Sequence, residues 1–255
     1  MTQTIKASFD DYYSADSPQA YTLKLVRDTK YHLPFHAAEL LRNYFQDAKT
    51  PLKATFLGSG YGLEVAALKY NYGPEDIVKW WGGDNPRAHS FEGGDDRFLV
   101  TMVDIHEPPL QFAKEVGLCD RYYVCDLLED WSQEFTEMIT HDTDLLLGIG
   151  VTGYLRVERF RDILKLMENS QIQFFCFAVT NLNRDTFVRL FDDSALDLHN
   201  LGRSRQRDYA DDTERQKVLD FLNRRGICTP EDEAGFMTSL YMVTQPQASR
   251  NFTNS

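Results

Sequence analysis

The sequence predicts an α/β fold: a doubly wound, mostly parallel sheet with helices on both faces, behind a helical N-terminal lid. Two observations carry this. Short apolar runs alternate with segments of helical period from residue 51 onward. Each of the first four runs stops at a glycine or an aspartate, namely Gly58, Asp104, Asp126 and Gly148. Strands buried on both faces read as continuous apolar runs of this kind.

The elements follow in order. Residues 8–48 read as helical and aromatic, with Phe9, Tyr12, Tyr13, Tyr21, Tyr31, Phe35, Tyr44 and Phe45, and Pro51 ends the pattern. Pro34 disfavours one continuous helix through His32 and His36. Ala54–Leu57 is a strand, Gly58-Ser59-Gly60-Tyr61-Gly62 a turn, and Leu63–Leu68 a buried helix. Residues 71–97 are rich in glycine and proline around Trp80-Trp81, which predicts an irregular insertion with one short helix and an exposed tryptophan pair. Phe98–Val103 is the second strand, and a helix from about Pro109 to Val116 closes at Gly117. Tyr122–Cys125, Asp144–Leu147 and Ile172–Val179 are three more strands, the last preceded by a helix near 157–168. Residues 184–225 read as helical. Within them 194–213 is polar, with Arg203, Arg205 and Arg207 at alternate positions, and reads as a mobile flap. Phe236–Val243 alternates like an added strand.

Composition narrows the function. The chain has 255 residues, enough for one large domain or a domain with a lid. Lys plus Arg total 27 and Asp plus Glu 39, a net charge of −12 that argues against binding nucleic acid through its phosphates. No apolar run approaches the roughly 20 residues of a membrane span, and the first residues hold no apolar signal core, so a cytoplasmic location is expected. Cys119, Cys125, Cys176 and Cys228 form no metal-binding pattern with one another or with histidines, and are expected to be reduced thiols. No metal site is expected.

In open parallel sheets, ligands bind beyond the carboxyl ends of the strands. The residues there are the turn Gly58, Ser59, Gly60 and Gly62, then Asp104 with Ile105, Asp126 with Leu127, and Gly148 with Gly150. Glycines let a ligand approach backbone N–H groups at a helix start. Asp104 is placed to accept from ribose hydroxyls and Asp126 from an adenine amine. Tyr154 and Asn181 stand on the same rim as candidates for catalysis, and Tyr13 and Tyr21 as candidates for a substrate-covering lid. His32 or His36 could act as a base, and the three arginines could bind an anionic group.

Over about 53–243 this arrangement resembles the class I S-adenosylmethionine-dependent methyltransferases, in particular a bacterial small-molecule branch. The stretch from Asp104 through Pro108-Pro109, Phe112-Ala113 and Gly117-Leu118, with Gly150–Tyr154, adds to the resemblance. It implies a seven-stranded sheet whose last strand is reversed. It also implies S-adenosylmethionine as cofactor: the glycine turn lines the methionine part, Asp104 holds the ribose, and Asp126 with Leu127 holds the adenine. The family usually has an acid two positions before the first glycine; here Phe56 stands there. Glu64, the insertion or the N-terminal helices are then left to hold the ligand's amino group.

The expected organisation is a lid at 1–50, a cofactor-binding domain at 51–245 with the insertion at 71–97, and a flexible tail at 246–255. The expected activity is methyl transfer to a small molecule, in secondary metabolism, with a homodimer as a possible assembly through the insertion. Two alternatives remain open at this level. One is cyclisation of S-adenosylmethionine to azetidine-2-carboxylate with release of methylthioadenosine. The other is a non-catalytic nucleotide- or partner-binding module, for which Trp80-Trp81 would be an interface. A nicotinamide oxidoreductase is more remote: the glycine pattern G-x-G-x-G and its spacing to Asp104 do not decide the matter, but the second acid, Asp126, favours the reading above.

Overall fold

A computed structural model of the chain describes residues 10–246. Phe9 and all but the first residue of the expected tail lie outside the described residues.

The N-terminal segment has a 3-10 turn at Asp10–Tyr12, then helix α1 (Gln19–Tyr21), which passes directly into a π-helical stretch at Thr22–Asp28. Helix α2 (Leu33–Tyr44) starts one residue after His32, so Pro34 falls in its first turn, where a missing N–H is no loss. His32 is its N-cap and His36 lies inside it.

Strand β1 (Leu52–Leu57) leads through the glycine turn into α3 (Leu63–Tyr70). The insertion holds one helix, α4 (Pro74–Trp81), and a 3-10 turn at Pro86–Ala88. Its tryptophans are not an exposed pair. Trp81 is fully buried, and Trp80 stacks on His89 with ring centres 4.2 Å apart. Next come β2 (Phe98–Asp104), α5 (Glu107–Glu115), β3 (Arg121–Val124), α6 (Gln133–His141), β4 (Leu145–Gly148), α7 (Val157–Glu168) and β5 (Phe174–Thr180). A short α8 (Arg184–Val188) follows. The chain then forms an 11-residue strand, β6 (Asp197–Arg207), where a helical stretch and a mobile flap were expected. Helices α9 (Asp212–Arg224) and α10 (Pro230–Ala234) and strand β7 (Phe236–Thr244) complete the described chain.

The seven strands form one sheet in the order β3-β2-β1-β4-β5-β7-β6. Strands β1 to β5 are parallel, and β7 runs antiparallel to both β5 and β6. The doubly wound sheet with a reversed last strand is therefore present, and β6 fills its edge. Every residue of β5 is buried, as its continuous apolar sequence requires. One face of the sheet packs on Leu41, Val65, Ala66 and Phe112 of α2, α3 and α5. The other packs on Phe135, Phe160 and Ile163 of α6 and α7. Chain order reverses between β1 and β4, and the crevice there faces the N-terminal segment.

The alternating arginines are fixed by ion pairs. Arg207 is buried and forks onto Glu214 of α9, at 2.7 and 2.6 Å. Arg203 pairs with Asp232 at 2.9 Å, and Arg205 with Asp208 at 3.1 Å.

Candidate active site

The first strand ends in a turn that only glycine tolerates at Gly58. Its φ is +60°, and a Cβ there would stand 2.6 Å from the Val151 side chain. Gly60, at φ +49°, has the Tyr13 ring 3.2 Å from the place its Cβ would take. The turn is held by Asp104 at the end of β2. One carboxylate oxygen accepts from the Gly60 N–H at 2.8 Å, and the other from the His106 N–H at 2.9 Å. Each oxygen keeps a further lone pair for a ligand. Asp126 accepts from the Leu128 N–H at 2.8 Å, which folds the loop after β3 in the same way.

These loops enclose a cavity of about 250 Å³. Its lining joins the ends of four strands: Gly58 and Ser59 after β1, Asp104, Ile105 and His106 after β2, Cys125 to Leu128 after β3, and Gly150, Val151, Tyr154 and Leu155 after β4. Tyr13, Tyr21 and Tyr31 from the N-terminal segment and Glu64 from the first turn of α3 complete it. The tyrosines pack on one another and on the turn: ring centres are 4.9 Å apart for Tyr13 and Tyr21, and 5.2 Å for Tyr21 and Tyr61. The Tyr61 hydroxyl donates to the Ala15 carbonyl at 2.5 Å, pinning the N-terminal segment onto the glycine turn.

The electrostatics are one-sided. The lining has carboxyls at Glu64, Asp104 and Asp126 and no Lys or Arg. Burial pushes the phenols of Tyr13, Tyr21 and Tyr31 well above the usual tyrosine range, so they stay neutral. Burial also lifts Glu64 to about 7, with the nearby Asp104 charge adding to it. Ile105 and Tyr154 are more than half exposed, at 52% and 56%, and offer apolar surface to the cavity.

Of the residues singled out from sequence, Tyr13, Tyr21, Gly58, Ser59, Asp104, Ile105, Asp126, Leu127, Gly150 and Tyr154 share this cavity. Gly60, Gly62 and Gly148 are not in its lining. The Gly60 N–H is taken by Asp104, Gly62 caps α3 against Met102, and Gly148 packs on Phe175. Asn181 is not brought to it either; its amide donates to Asp232 at 2.7 Å, beside a separate shallow depression with Arg184 and Arg203. His32 and His36 do not line it. Phe56 is a core residue, 2% exposed. Tyr31, His106, Cys125, Leu128 and Leu155 were not anticipated as lining. His106 and Leu128 directly follow predicted site residues, which was a usable signal; Tyr31 reaches the cavity by a long-range fold of the N-terminus and left none. Among the described residues no His/Cys/Asp/Glu group could hold a metal, and no helix is long and apolar enough to cross a membrane.

No family model matches the chain, and no curated protein matches it significantly. Solved structures do. The N-methyltransferase NodS from Bradyrhizobium japonicum WM9, in complex with S-adenosyl-L-homocysteine, aligns over 96% of this chain and 100% of its own, with TM-score 0.51 and 12% identity. Magnesium protoporphyrin IX methyltransferase from Synechocystis PCC 6803, with bound S-adenosylmethionine, aligns over 94% and 93%, with TM-score 0.50 and 12% identity. The plantazolicin methyltransferase BamL, in complex with a desmethyl-plantazolicin analogue and S-adenosyl-L-homocysteine, aligns over 92% and 98%, with TM-score 0.51 and 8% identity. At these identities the likeness is one of fold: the chain has the fold of the class I S-adenosylmethionine-dependent methyltransferases.

Proposed function

We propose that this chain, built on the class I fold, is an S-adenosylmethionine-dependent methyltransferase for a small-molecule acceptor. The observation that carries the reading is the convergence of four strand ends on one cavity. The residues there suit the group. Asp104 keeps lone pairs for ribose hydroxyls after bracing the turn. Asp126 can accept from an adenine amine, and Ile105 and Leu127 offer apolar surface to the base. The absence of Lys and Arg from the lining suits a cationic ligand and disfavours a phosphorylated one.

Bound there, S-adenosylmethionine supplies an electrophilic methyl group on a sulfonium. The protein's part is then to align an acceptor and exclude water. Tyr154 is our candidate to border the acceptor, since its exposed ring at the cavity edge can meet a cationic centre face-on. Tyr13, Tyr21 and Tyr31 form the wall that limits acceptor size, with phenol O–H groups as hydrogen-bond donors. The small volume of the cavity and the net charge of −12 both favour a small molecule over nucleic acid. Asn181 receives no role in this reading.

The test is turnover with methyl-labelled S-adenosylmethionine and a fractionated pool of small metabolites, followed by mass analysis. Label moving into a small molecule, with S-adenosylhomocysteine as co-product, supports the reading. Release of methylthioadenosine without any acceptor would replace it with the cyclase chemistry.

A further inference from the structure

The cavity has two ends of different chemistry. In the cofactor reading the adenosine lies toward β2 and β3, against Ile105, Asp126 and Leu127. The other end is built by the turn after β4, with Gly150, Val151, Tyr154 and Leu155, and by Tyr31 from the N-terminal segment. Tyr31 is 5% exposed, and its hydroxyl oxygen lies 3.5 Å from the point a Cβ on Gly150 would occupy. The missing side chain of Gly150 thus leaves room in front of that oxygen. The Tyr13 and Tyr21 phenols hydrogen-bond to each other, whereas the Tyr31 hydroxyl has no such partner among the described residues. The Glu64 carboxyl stands 3.6 Å from the same point, so an acid, not a base, borders this end. Tyr154 is exposed on the same turn, and Val151 and Leu155 add aliphatic surface.

This chemistry selects among nucleophiles. Carboxylates, phosphates, thiolates and phenolates attack as anions, and a desolvated anion needs a cation beside it. The lining offers no Lys or Arg, and three carboxyls already face the cavity. An amine attacks in its neutral form and carries N–H groups that a phenol oxygen can accept. Its protonated form is attracted to aromatic faces as it enters. We propose that the acceptor is a primary or secondary amine on an apolar body, with an N–H donated to the Tyr31 hydroxyl oxygen and the body against Val151, Tyr154 and Leu155. The inference rests on the cofactor reading above and specifies its acceptor. The amine first gives any extra proton to water. Its nitrogen lone pair then forms the bond to the methyl carbon as the carbon–sulfur bond breaks, and sulfur keeps that bond's electrons as a neutral thioether. The methylated nitrogen carries the positive charge and leaves as an ammonium, or loses a proton to water.

The test is calorimetric titration of the intact protein, first with S-adenosylhomocysteine and then, once saturated, with a panel of alkyl-, arylalkyl- and heteroarylalkylamines. Each amine is paired with the carboxylate and the alcohol of the same skeleton. The tightest-binding amine should bind about 10-fold or more tightly than its carboxylate and alcohol counterparts. With methyl-labelled S-adenosylmethionine, label should enter amines alone. Tyr31→Phe should weaken amine binding about 5-fold and leave S-adenosylhomocysteine binding within about 2-fold of wild type. The wild-type selectivity is readable even if the variant folds poorly. Carboxylates or alcohols binding as tightly as their amine counterparts, or taking the label, would overturn the proposal. Binding of S-adenosylhomocysteine with no member of the panel bound would also overturn it, while leaving the cofactor reading intact. No binding of S-adenosylhomocysteine would overturn both.

Discussion

Asp104 has two tasks that a single substitution separates from the rest of the site. Its oxygens satisfy the N–H groups of Gly60 and His106. Asp104→Ala leaves both donors unpaired, and we expect a loss of about 1–3 kcal/mol in urea unfolding together with the loss of nucleoside binding. Gly58→Ala forces a left-handed backbone and a contact with Val151, and should cost about 1–3 kcal/mol in the same assay. Glu64 acts through pH. Its carboxyl is raised in the folded protein from 4.5 to about 7, so the native state holds the proton more tightly than the unfolded chain. Its contribution to stability is full below about pH 4.5, falls as pH rises to about 7, and is flat beyond. The ligand-free Glu64→Gln variant should therefore gain melting temperature over wild type between pH 5 and pH 8, with the two close at pH 5. Much of this site was legible because strand ends, glycine turns and aspartates are local signals. The tyrosine wall was legible only for Tyr13 and Tyr21; Tyr31 reaches the cavity through packing that no local pattern encodes.

At the scale of elements, the parallel core was readable because burial on both faces writes an unbroken apolar run, as in β5. β6 defied that reading. It is an edge strand, polar on its outer side; Arg203 and Arg207 are satisfied by acids of α10 and α9, and Arg205 by Asp208, rather than by an apolar core. Arg203 and Arg205 keep a strand period, which a bulge before Arg207 then breaks, and the polarity masked it. The Arg207–Glu214 pair ties this edge to α9 and is almost wholly buried, at 4% and 3% side-chain exposure. Removing one partner strands the other charge, so Glu214→Ala should cost about 3–5 kcal/mol in equilibrium unfolding. The insertion gave the opposite lesson. Its glycines and prolines correctly marked irregular structure, but adjacent tryptophans in a helix point in different directions, so Trp81 is buried while Trp80 stacks on His89.

At the scale of the whole molecule, one sheet positions the crevice and one N-terminal segment closes over it. Helices cover both faces of the sheet, which leaves the carboxyl ends of β1 to β4 as the place where loops from distant parts of the chain meet. The acidic bias of the chain, −12 overall, is repeated in the cavity, whose lining carries carboxyls and no Lys or Arg. Cavity and charge suit the cationic nucleoside ligand proposed above. The most direct measurement is a calorimetric titration of S-adenosylmethionine into the wild-type protein and into Asp104→Ala, with folding of the variant checked by circular dichroism. Saturable one-to-one binding to the wild type, lost in the folded variant, is the predicted result. No binding to the wild type, or equal binding to both proteins, would contradict the assignment of this cavity.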